Sequence, residues 1–290
     1  MTLIETIFVV LGENIDMNDL NTSFLNGNLL PDVQGSEDSR ALAIEQVGIR
    51  GIKQPVHIRS GASLFPTVAS FEMDVALPAD QKGTHMSRFV NLLQEEHEAY
   101  DTQALADLAK KMLPLLQAKQ GRIQMQYTHF VKKSAPVSAV ESWMDYDVTY
   151  LAQAKQSLDD AIEVDLYLKA VVPVMSLCPC SKEISEYGAH NQRSHVTILV
   201  KLDSDAQLGV EELVRIAETE ASSELWAILK RPDEKWVTER AYENPKFVED
   251  LVRDVAMRLK QDERILSLVV EAENFESIHN HSAFARISLP

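Results

Sequence analysis

Apolar and polar residues alternate in short segments along most of the chain from residue 48 onward, as in strands that bury one face of a sheet. In Val68–Leu77, for example, Phe71, Met73 and Val75 alternate with acidic residues. The same period of two predicts eight strands, which are Val56–Ser60, Val68–Leu77, Arg122–Lys132, Val137–Leu151, Ile162–Val174, Ser194–Asp203, Arg264–Ala272 and Ala283–Leu289.

Four other segments carry apolar residues every three or four positions, which predicts amphipathic helices. They are Ser87–His97, Thr102–Lys119, Val210–Lys230 and Pro245–Lys260, and Pro245 suits a first helical turn. Each half of the chain therefore follows the order strand, strand, helix, helix, strand, strand, although the halves share no sequence motif. The pattern predicts an α+β fold in which an antiparallel four-stranded sheet with two helices on one face occurs twice.

This order divides the chain into an N-terminal arm at 1–40, a first unit at 41–155 and a second unit at 156–290. We expect the arm to be flexible because residues 12–40 are rich in Asn, Asp, Gly and Ser. Met17 lies in the arm, and we hypothesise that it is the native start. Sheets of this kind expose edge strands, and association into a closed barrel is one way to cover them.

The net charge makes two classes of partner unfavourable. The 290 residues include 44 acidic and 28 basic side chains, for a net charge of −16, which disfavours nucleic acid and anionic membranes.

The N-terminal segment lacks a basic region before its apolar residues, and no apolar stretch is long enough to span a bilayer. The two cysteines, Cys178 and Cys180, are too close for an ordinary disulfide, which favours a reducing, cytoplasmic setting.

Both cysteines lie in the connection between two predicted strands, together with His190 and His195. Thiolate and imidazole groups suit a borderline-soft metal such as zinc. The Cys-x-Cys…His spacing differs from zinc-finger patterns, and fewer than four protein ligands would leave a position open for water, as in catalytic sites. The alternative is a buried cysteine pair beside an ordinary loop histidine.

A second cluster, Glu271–His281, precedes the last predicted strand. His279 and His281 are two positions apart and point the same way if the segment is extended. Such imidazoles serve as metal ligands or proton-transfer groups. A polar turn between strands is the alternative.

Three further charged features are open to two interpretations. Leu229–Lys235 links the two predicted helices of the second half. It is either a solvated loop or a segment that supplies a carboxylate ligand beside cations that hold phosphate. Glu249 lies at the edge of the next apolar stripe and by itself is most simply a surface residue. Lys82–Phe89 opens a helix, where Lys82 and Arg88 either assist anion binding or only accompany the helix start.

Several common enzyme motifs are absent from the sequence. It contains no P-loop, no Gly-x-Gly-x-x-Gly and no Gly-x-Ser-x-Gly. This argues against a P-loop nucleotide hydrolase, a Rossmann oxidoreductase and an α/β-hydrolase.

Five long stretches resemble the type B GTP cyclohydrolase I family, and the likeness extends over nearly all of residues 30–290. These stretches are LPDVQ (30–34), KGTHMSRF (82–89), SLCPCSKEISEYGAHNQRS (176–194), LKRPDEKWVTERAYENPKFVEDLVRD (229–254) and ENFESIHNHSA (273–283). The resemblance implies a tunnelling fold with two tandem ββααββ units and a homotetramer with active sites at subunit interfaces. It also implies conversion of GTP and water to 7,8-dihydroneopterin triphosphate and formate, the first step towards tetrahydrofolate and, in many bacteria, queuosine.

The resemblance assigns roles at matching positions and implies a divalent metal, zinc or manganese, that would activate water for attack on the guanine ring. The metal-binding set is Cys178, His190 and Glu234, with Cys180 as the second active-site thiol, and either cysteine could be the direct ligand. Glu249 matches the anchor of the guanine ring, and Glu276, His279 and His281 match proton-transfer and substrate-contacting groups. The candidate triphosphate partners, chosen from charge and position alone, are Lys82, Arg88, Lys182, Arg193 and Arg231.

Three other functions remain open from the sequence. One is a related archaeal-type cyclohydrolase that uses iron and releases a cyclic phosphate product. Another is a pterin- or purine-binding tunnelling-fold protein without catalysis, because a fold does not imply a function. The third is a structural metal site that only holds a loop, in which case Cys180→Ser would unfold the protein.

Overall fold

The computed structural model describes residues 32–290 except 61–62, 96–97 and 205. The proposed start at Met17 and most of the predicted arm lie outside these residues. The strands are β1 (Ile44–Ser60), β2 (Ser63–Leu77), β3 (Gln120–Ser134), β4 (Glu141–Gln156), β5 (Ile162–Leu177), β6 (Asn191–Leu202), β7 (Ile265–Asn274) and β8 (Ala283–Leu289). The helices are α1 (Met86–Gln94), α2 (Thr102–Leu115), α3 (Pro179–Ile184), α4 (Val210–Glu220), α5 (Arg231–Glu243) and α6 (Val248–Leu259).

The eight strands form one antiparallel sheet in chain order, with β1 and β8 at its edges. One face is apolar and buried, as in β6, where Val196, Ile198 and Val200 are inaccessible to solvent. The long helices pack against this face, and α2 contacts β3, β4 and β5 while α6 contacts β7 and β8. The alternation in the sequence therefore predicted the face of the sheet that forms the core.

The two predicted units are continuous through the sheet, because β4 pairs with β5 from Asp147↔Val171 to Gln156↔Ile162. The boundaries of the units stay a prediction. Within the described part of the chain, no helix is both long and apolar enough to cross a membrane.

The predicted helix Val210–Lys230 is wrong in its second half. Helix α4 ends at Glu220, because Ser223 then forms a two-way backbone bridge with Met175 of β5 and the Ser222 hydroxyl accepts the N–H of Leu177. Leu225 and Ile228 continue the helical spacing only by coincidence.

The predicted loop Leu229–Lys235 contains the start of a helix that was not predicted, α5, which begins at Arg231. Pro232 in the first turn and an acidic residue after it are ordinary signals of a helix start, which the charge-based interpretation overlooked. The helix placed at Pro245 begins at Val248 instead, so Pro245 precedes it.

Other boundaries also differ from the prediction. Strand β1 starts at Ile44, twelve residues before the predicted start at Val56. The prediction missed these twelve residues because they are mostly exposed and lack a clear alternation. A turn occupies 135–140, so β4 begins at Glu141 instead of Val137. The cysteine-containing connection holds the short helix α3, and β6 starts at Asn191, which places Arg193 in a strand.

Gly48 allows β1 to approach β2 closely. A Cβ atom at Gly48 would lie 1.9 Å from the carbonyl oxygen of Met73 and 2.6 Å from the Cα atom of Asp74. We expect Gly48→Ala to lower the free energy of unfolding by about 3 kcal/mol, because the contact is with backbone atoms that cannot move alone. Urea unfolding measures this. Gly209→Ala, whose Cβ atom would meet nothing nearer than 3.4 Å, is the control, and equal stability of both variants would contradict the prediction.

A partly buried polar cluster joins β1, β3 and α4. The fully buried His129 ring contacts the Glu211 carboxylate through Nε2 at 2.9 Å, and the Ser60 hydroxyl donates to the other Glu211 oxygen at 2.5 Å. The hydrogen bond with His129, helped by Ser60, outweighs the opposing effect of burial and lowers the pKa of Glu211 to about 2.

Acid is expected to remove the contribution of Glu211 to stability. A lowered pKa in the folded state means that the contribution is complete above the ordinary value of 4.5 and is lost as the pH falls towards about 2. The difference in unfolding free energy between the wild type and Glu211→Gln should therefore shrink over this interval in urea titrations. A difference that stays constant with pH would contradict the assignment.

Candidate active site

Most of the sequence-predicted site residues gather at one end of the sheet. This end is formed by the last residues of β5 and β7 and the first residues of β6 and β8. Leu177 pairs with Asn191 and Asn274 pairs with Ser194, so the cysteine-containing connection and the histidine-containing connection lie side by side. Antiparallel pairing brings together two stretches that are about a hundred residues apart in sequence.

Cys178 and His190 are held together at this end by backbone contacts. The N–H of Cys178 donates to the carbonyl oxygen of His190 at 3.1 Å. Ser181 connects both residues, because its hydroxyl donates to the Cys178 carbonyl at 3.1 Å and accepts the N–H of His190 at 3.2 Å. The N–H of Ser181 also lies 3.5 Å from the sulfur of Cys178. Both cysteines are free thiols, Cys178 half-buried and Cys180 exposed.

Gln192 orients the ring of His190. The Nδ1 atom of His190 lies 3.1 Å from Oε1 of the buried Gln192 and 3.3 Å from the hydroxyl of Ser277. Both contacts engage Nδ1, and among the described residues no hydrogen bond involves Nε2 of His190. A histidine whose ring is held through Nδ1 can present Nε2 to a metal or to a proton.

The histidine-containing loop is tied to β6. The N–H of Phe275 donates to the Arg193 carbonyl at 3.0 Å, and Asn274 accepts the hydroxyl of the buried Ser194 at 2.7 Å. In the loop itself the rings of His279 and His281 stack with centroids 5.1 Å apart. The sequence predicted that these two imidazoles point the same way if the segment is extended; the segment is instead a series of bends, and the two rings stack within it.

Helix α3 contacts the end of α5 through Lys182. The Lys182 ammonium group donates to the Tyr242 carbonyl at 2.5 Å and lies 4.4 Å from the centre of the Tyr242 ring. Lys182 thus bridges the cysteine-containing segment and α5, and a triphosphate would have to compete with this contact.

Helices α5 and α6 carry two of the candidate carboxylates, Glu234 and Glu249. Arg231 and Glu234 lie exposed in the first turn of α5, and Glu249 lies exposed in the first turn of α6, beside the buried Val248. Glu276 is partly exposed in the histidine-containing loop. Among the described residues, no three His, Cys, Asp or Glu side chains come close enough to form a metal site, so the metal role of Cys178, His190 and Glu234 stays a prediction.

Asp233 is the fully buried carboxylate next to Glu234. Burial alone would raise the pKa of Asp233, but hydrogen bonds from Ser138, Lys230 and Val137 outweigh it and hold this pKa below its ordinary range. The carboxylate is therefore ionised and accepts all of these donors.

Lys82 and Arg88 lie at the opposite end of the sheet. They follow the end of β2, which lies at the same end as the β4–β5 turn, where Gln156 pairs with Ile162. The length of β5 separates the two ends, and its 16 residues correspond to roughly 50 Å of extended strand. Arg88 donates to the Leu115 carbonyl at 3.0 Å. A single subunit therefore does not bring these two cations to the cysteines.

Sequence reasoning missed three polar residues at the site: Gln192, Ser277 and the buried Asp233. Gln192 and Ser277 lie inside the stretches that carried the resemblance but are neither titratable nor nucleophilic. Asp233 was counted among the charges of a solvated loop, and only its position in the first turn of a helix could have indicated a capping role.

Comparison with known proteins places the chain in a family. A family model described as type I GTP cyclohydrolase folE2 matches residues 30–285. GTP cyclohydrolase FolE2 of Polynucleobacter asymbioticus is 67% identical over 269 residues, which cover 93% of this chain and 99% of that protein. GTP cyclohydrolase FolE2 of Cupriavidus necator is 57% identical over 271 residues, which cover 93% of this chain and 97% of that protein.

Solved structures with a similar fold include two urate oxidases. A highly active mutant of the Bacillus sp. TB-90 enzyme has a TM-score of 0.54 at 9% identity and covers 85% of this chain and 99% of that chain. The Bacillus subtilis 168 enzyme has a TM-score of 0.52 at 9% identity, covering 84% and 98%. At this identity the likeness concerns the fold alone, and it confirms the predicted tunnelling fold. The match over residues 30–285 and the identities of the relatives show that the chain belongs to the type I GTP cyclohydrolase family.

Proposed function

We propose that the protein converts GTP and water to 7,8-dihydroneopterin triphosphate and formate, the first step of tetrahydrofolate biosynthesis. The observation that carries this proposal is the meeting of Cys178, His190 and the His279–His281 loop at one end of the sheet. Relatives at 67% and 57% identity that are named GTP cyclohydrolase FolE2 support the same activity.

A divalent metal, zinc or manganese, is part of the proposal. Cys178 and His190 fit it, because a thiol and an imidazole that Gln192 engages through Nδ1 lie in neighbouring positions and are held by Ser181 and Gln192. Glu234 would be the third ligand, from the first turn of α5. When bound, such a metal supplies a water of lowered pKa for hydrolysis.

The protein side chains have separate tasks in this reaction. Glu249, an exposed carboxylate at the start of α6, would accept two N–H groups of guanine and orient the ring. Opening the imidazole part of guanine requires protons on ring nitrogens, and Glu276, His279 and His281 would deliver them from one loop. The stack of the two imidazoles positions both rings towards the same side of the loop.

The substrate site is proposed to lie between subunits. Arg193, Arg231 and Lys182 would meet the triphosphate from one subunit, and Lys82 and Arg88 from another, because the latter two lie at the opposite end of the sheet. Pairing of the edge strands β1 and β8 with neighbouring subunits would close a barrel and cover both edges. A homotetramer is the assembly that we propose.

Formate release from GTP by metal-stripped protein tests this function. We expect no formate without metal, and formate together with a pterin triphosphate after Mn²⁺ or Zn²⁺ is added back. Mass spectrometry of the product separates the triphosphate from a cyclic phosphate, which would indicate the archaeal-type reaction. Folded, oligomeric protein that yields no formate with any metal would contradict the proposal and favour a pterin- or purine-binding protein.

A further inference from the structure

The turn between β3 and β4, residues 135–140, is fastened to the start of α5 by one buried carboxylate. Asp233 accepts the N–H of Val137 at 2.9 Å, and the N–H and hydroxyl of Ser138 at 2.8 and 2.6 Å. It also accepts the N–H of Lys230, which precedes the helix, at 2.8 Å. Three donors thus come from the first half of the chain, 95 or 96 residues earlier in sequence.

The segment before α5 is held to the same hairpin at further points. The indole N–H of Trp226 donates to the Ser134 carbonyl at 3.0 Å. The ammonium group of Lys133 donates to the Leu225 carbonyl at 2.9 Å and pairs with Glu224 at 2.6 Å. The β3–β4 hairpin therefore fixes the path of the chain into α5.

Comparison with the other helices shows that Asp233 does more than cap α5. In α4 and α6 the corresponding acidic residues, Glu212 and Asp250, also accept the N–H of the residue before the helix, at 2.9 and 3.2 Å. Both are less buried than Asp233, which is completely inaccessible to solvent. Capping requires one hydrogen bond and no burial, so the three additional bonds of Asp233 serve the contact with the hairpin.

We propose that Asp233 and Ser138 are positioning residues that hold Glu234 in place for metal binding, so that the first half of the chain sets the geometry of the site in the second. This inference rests on the proposed metal role of Glu234. Asp233 and Glu234 are consecutive in one helical turn, so a fixed Asp233 carboxylate defines both the start of α5 and the direction in which Glu234 leaves it. Cys178, His190 and Glu234 do not form a metal cluster among the described residues, so metal binding has to draw the three together. A loosened start of α5 would lower the fraction of molecules in which Glu234 is placed to do so.

Binding of Mn²⁺ alone, measured by the loss of the electron paramagnetic resonance signal of free Mn²⁺, tests the proposal without reference to activity. Asp233→Asn replaces one acceptor oxygen by an NH₂ group, which accepts no hydrogen bond, so two of the four donors lose their acceptor. We expect it to weaken Mn²⁺ binding by at least about 10-fold, and Ser138→Ala to weaken it by about 3-fold, with Ser138→Thr close to the wild type.

Glu212→Gln is the matched control, because it weakens the equivalent capping bond of α4 away from the site. We expect it to lower the thermal unfolding midpoint as Asp233→Asn does, with Mn²⁺ affinity unchanged. Wild-type affinity in Asp233→Asn, at a similar loss of stability, would overturn the inference.

Glu234→Gln separates this inference from the proposed function. Weak Mn²⁺ binding in Glu234→Gln together with wild-type binding in Asp233→Asn and Ser138→Ala overturns the positioning role alone. Wild-type binding in Glu234→Gln overturns the metal assignment, and the positioning role with it. If Asp233→Asn does not fold, Ser138→Ala decides, because it leaves the backbone donors of the turn on Asp233.

Discussion

Replacement of Cys178 by alanine is expected to lower kcat/KM for formate release by more than about 1000-fold while the protein stays folded. The thiol lies at the junction of β5 and α3, where the Cys178 N–H donates to the His190 carbonyl and the Cys178 carbonyl accepts the Ser181 hydroxyl. Alanine keeps these backbone bonds and removes only the sulfur, which has one long contact, 3.5 Å from the N–H of Ser181. The loss would therefore come from chemistry and not from folding.

Formate assays, Mn²⁺ binding and thermal unfolding of the same preparations measure this effect. Glu183→Ala is the matched control, because Glu183 is an exposed residue of the same short helix without an assigned role. Activity within about 10-fold of the wild type in Cys178→Ala would exclude the thiol as a metal ligand or catalytic group.

Cys180→Ser extends the same experiment to the second thiol. Cys180 is exposed, so we expect the variant to keep the wild-type unfolding midpoint and to lose activity. Unfolding of Cys180→Ser would indicate a structural metal site instead. The variant that loses Mn²⁺ binding, and not only turnover, identifies which cysteine is the direct ligand.

Mixed oligomers of two inactive variants are expected to regain activity if each site draws on two subunits. Cys178→Ala removes the thiol at one end of the sheet. Lys82→Glu changes the opposite end, where the added negative charge would repel the triphosphate and lower kcat/KM about 100-fold. Each variant alone should be nearly inactive. In randomly assorted 1:1 oligomers, about a quarter of the sites would receive an intact part from both contributing subunits.

Both substitutions in one chain, co-assembled with wild-type chains, provide the control. Sites between subunits would again retain about a quarter of the activity, whereas sites within one subunit would retain about half. Mixed oligomers of the single variants that show no activity above the separate variants would place the whole site in one subunit. They would also remove Lys82 from the substrate site, because β5 separates it from Cys178 within the subunit.

The chain order of the strands and helices could be predicted because each element follows a local period. Val196, Ile198 and Val200 alternate with exposed residues, and all three are buried in the sheet. The predictions failed where a tertiary contact overrides the period. Leu225 and Ile228 extend the helical spacing of α4, yet the backbone bridge between Ser223 and Met175 ends the helix earlier. Helix α5 was missed because its exposed surface is charged and its buried anchor is an aspartate.

The residue types of the candidate site were also readable from the sequence, because the long stretches that contain Cys178, His190, Glu234, Glu249 and His279 resemble one family. The arrangement of these residues in space could not be read from the sequence. Strand pairing brings Cys178 and His190 beside the His279–His281 loop and leaves Lys82 and Arg88 at the far end of the sheet. Charge and sequence position alone had grouped all five cations as partners of one triphosphate, and only the strand directions separate them.

By itself the sequence determined the α+β class, the buried face of the sheet, the family and the reactive residue types, because these depend on local periodicity and on contiguous motifs. Only the tertiary structure decided that the buried Asp233 carboxylate joins the first half of the chain to α5, that Gln192 contacts Nδ1 of His190, and that the candidate cations divide between two ends of the sheet. The physical reason is that hydrogen bonds between distant segments and the direction of each strand follow from how the whole chain packs, which no local pattern records.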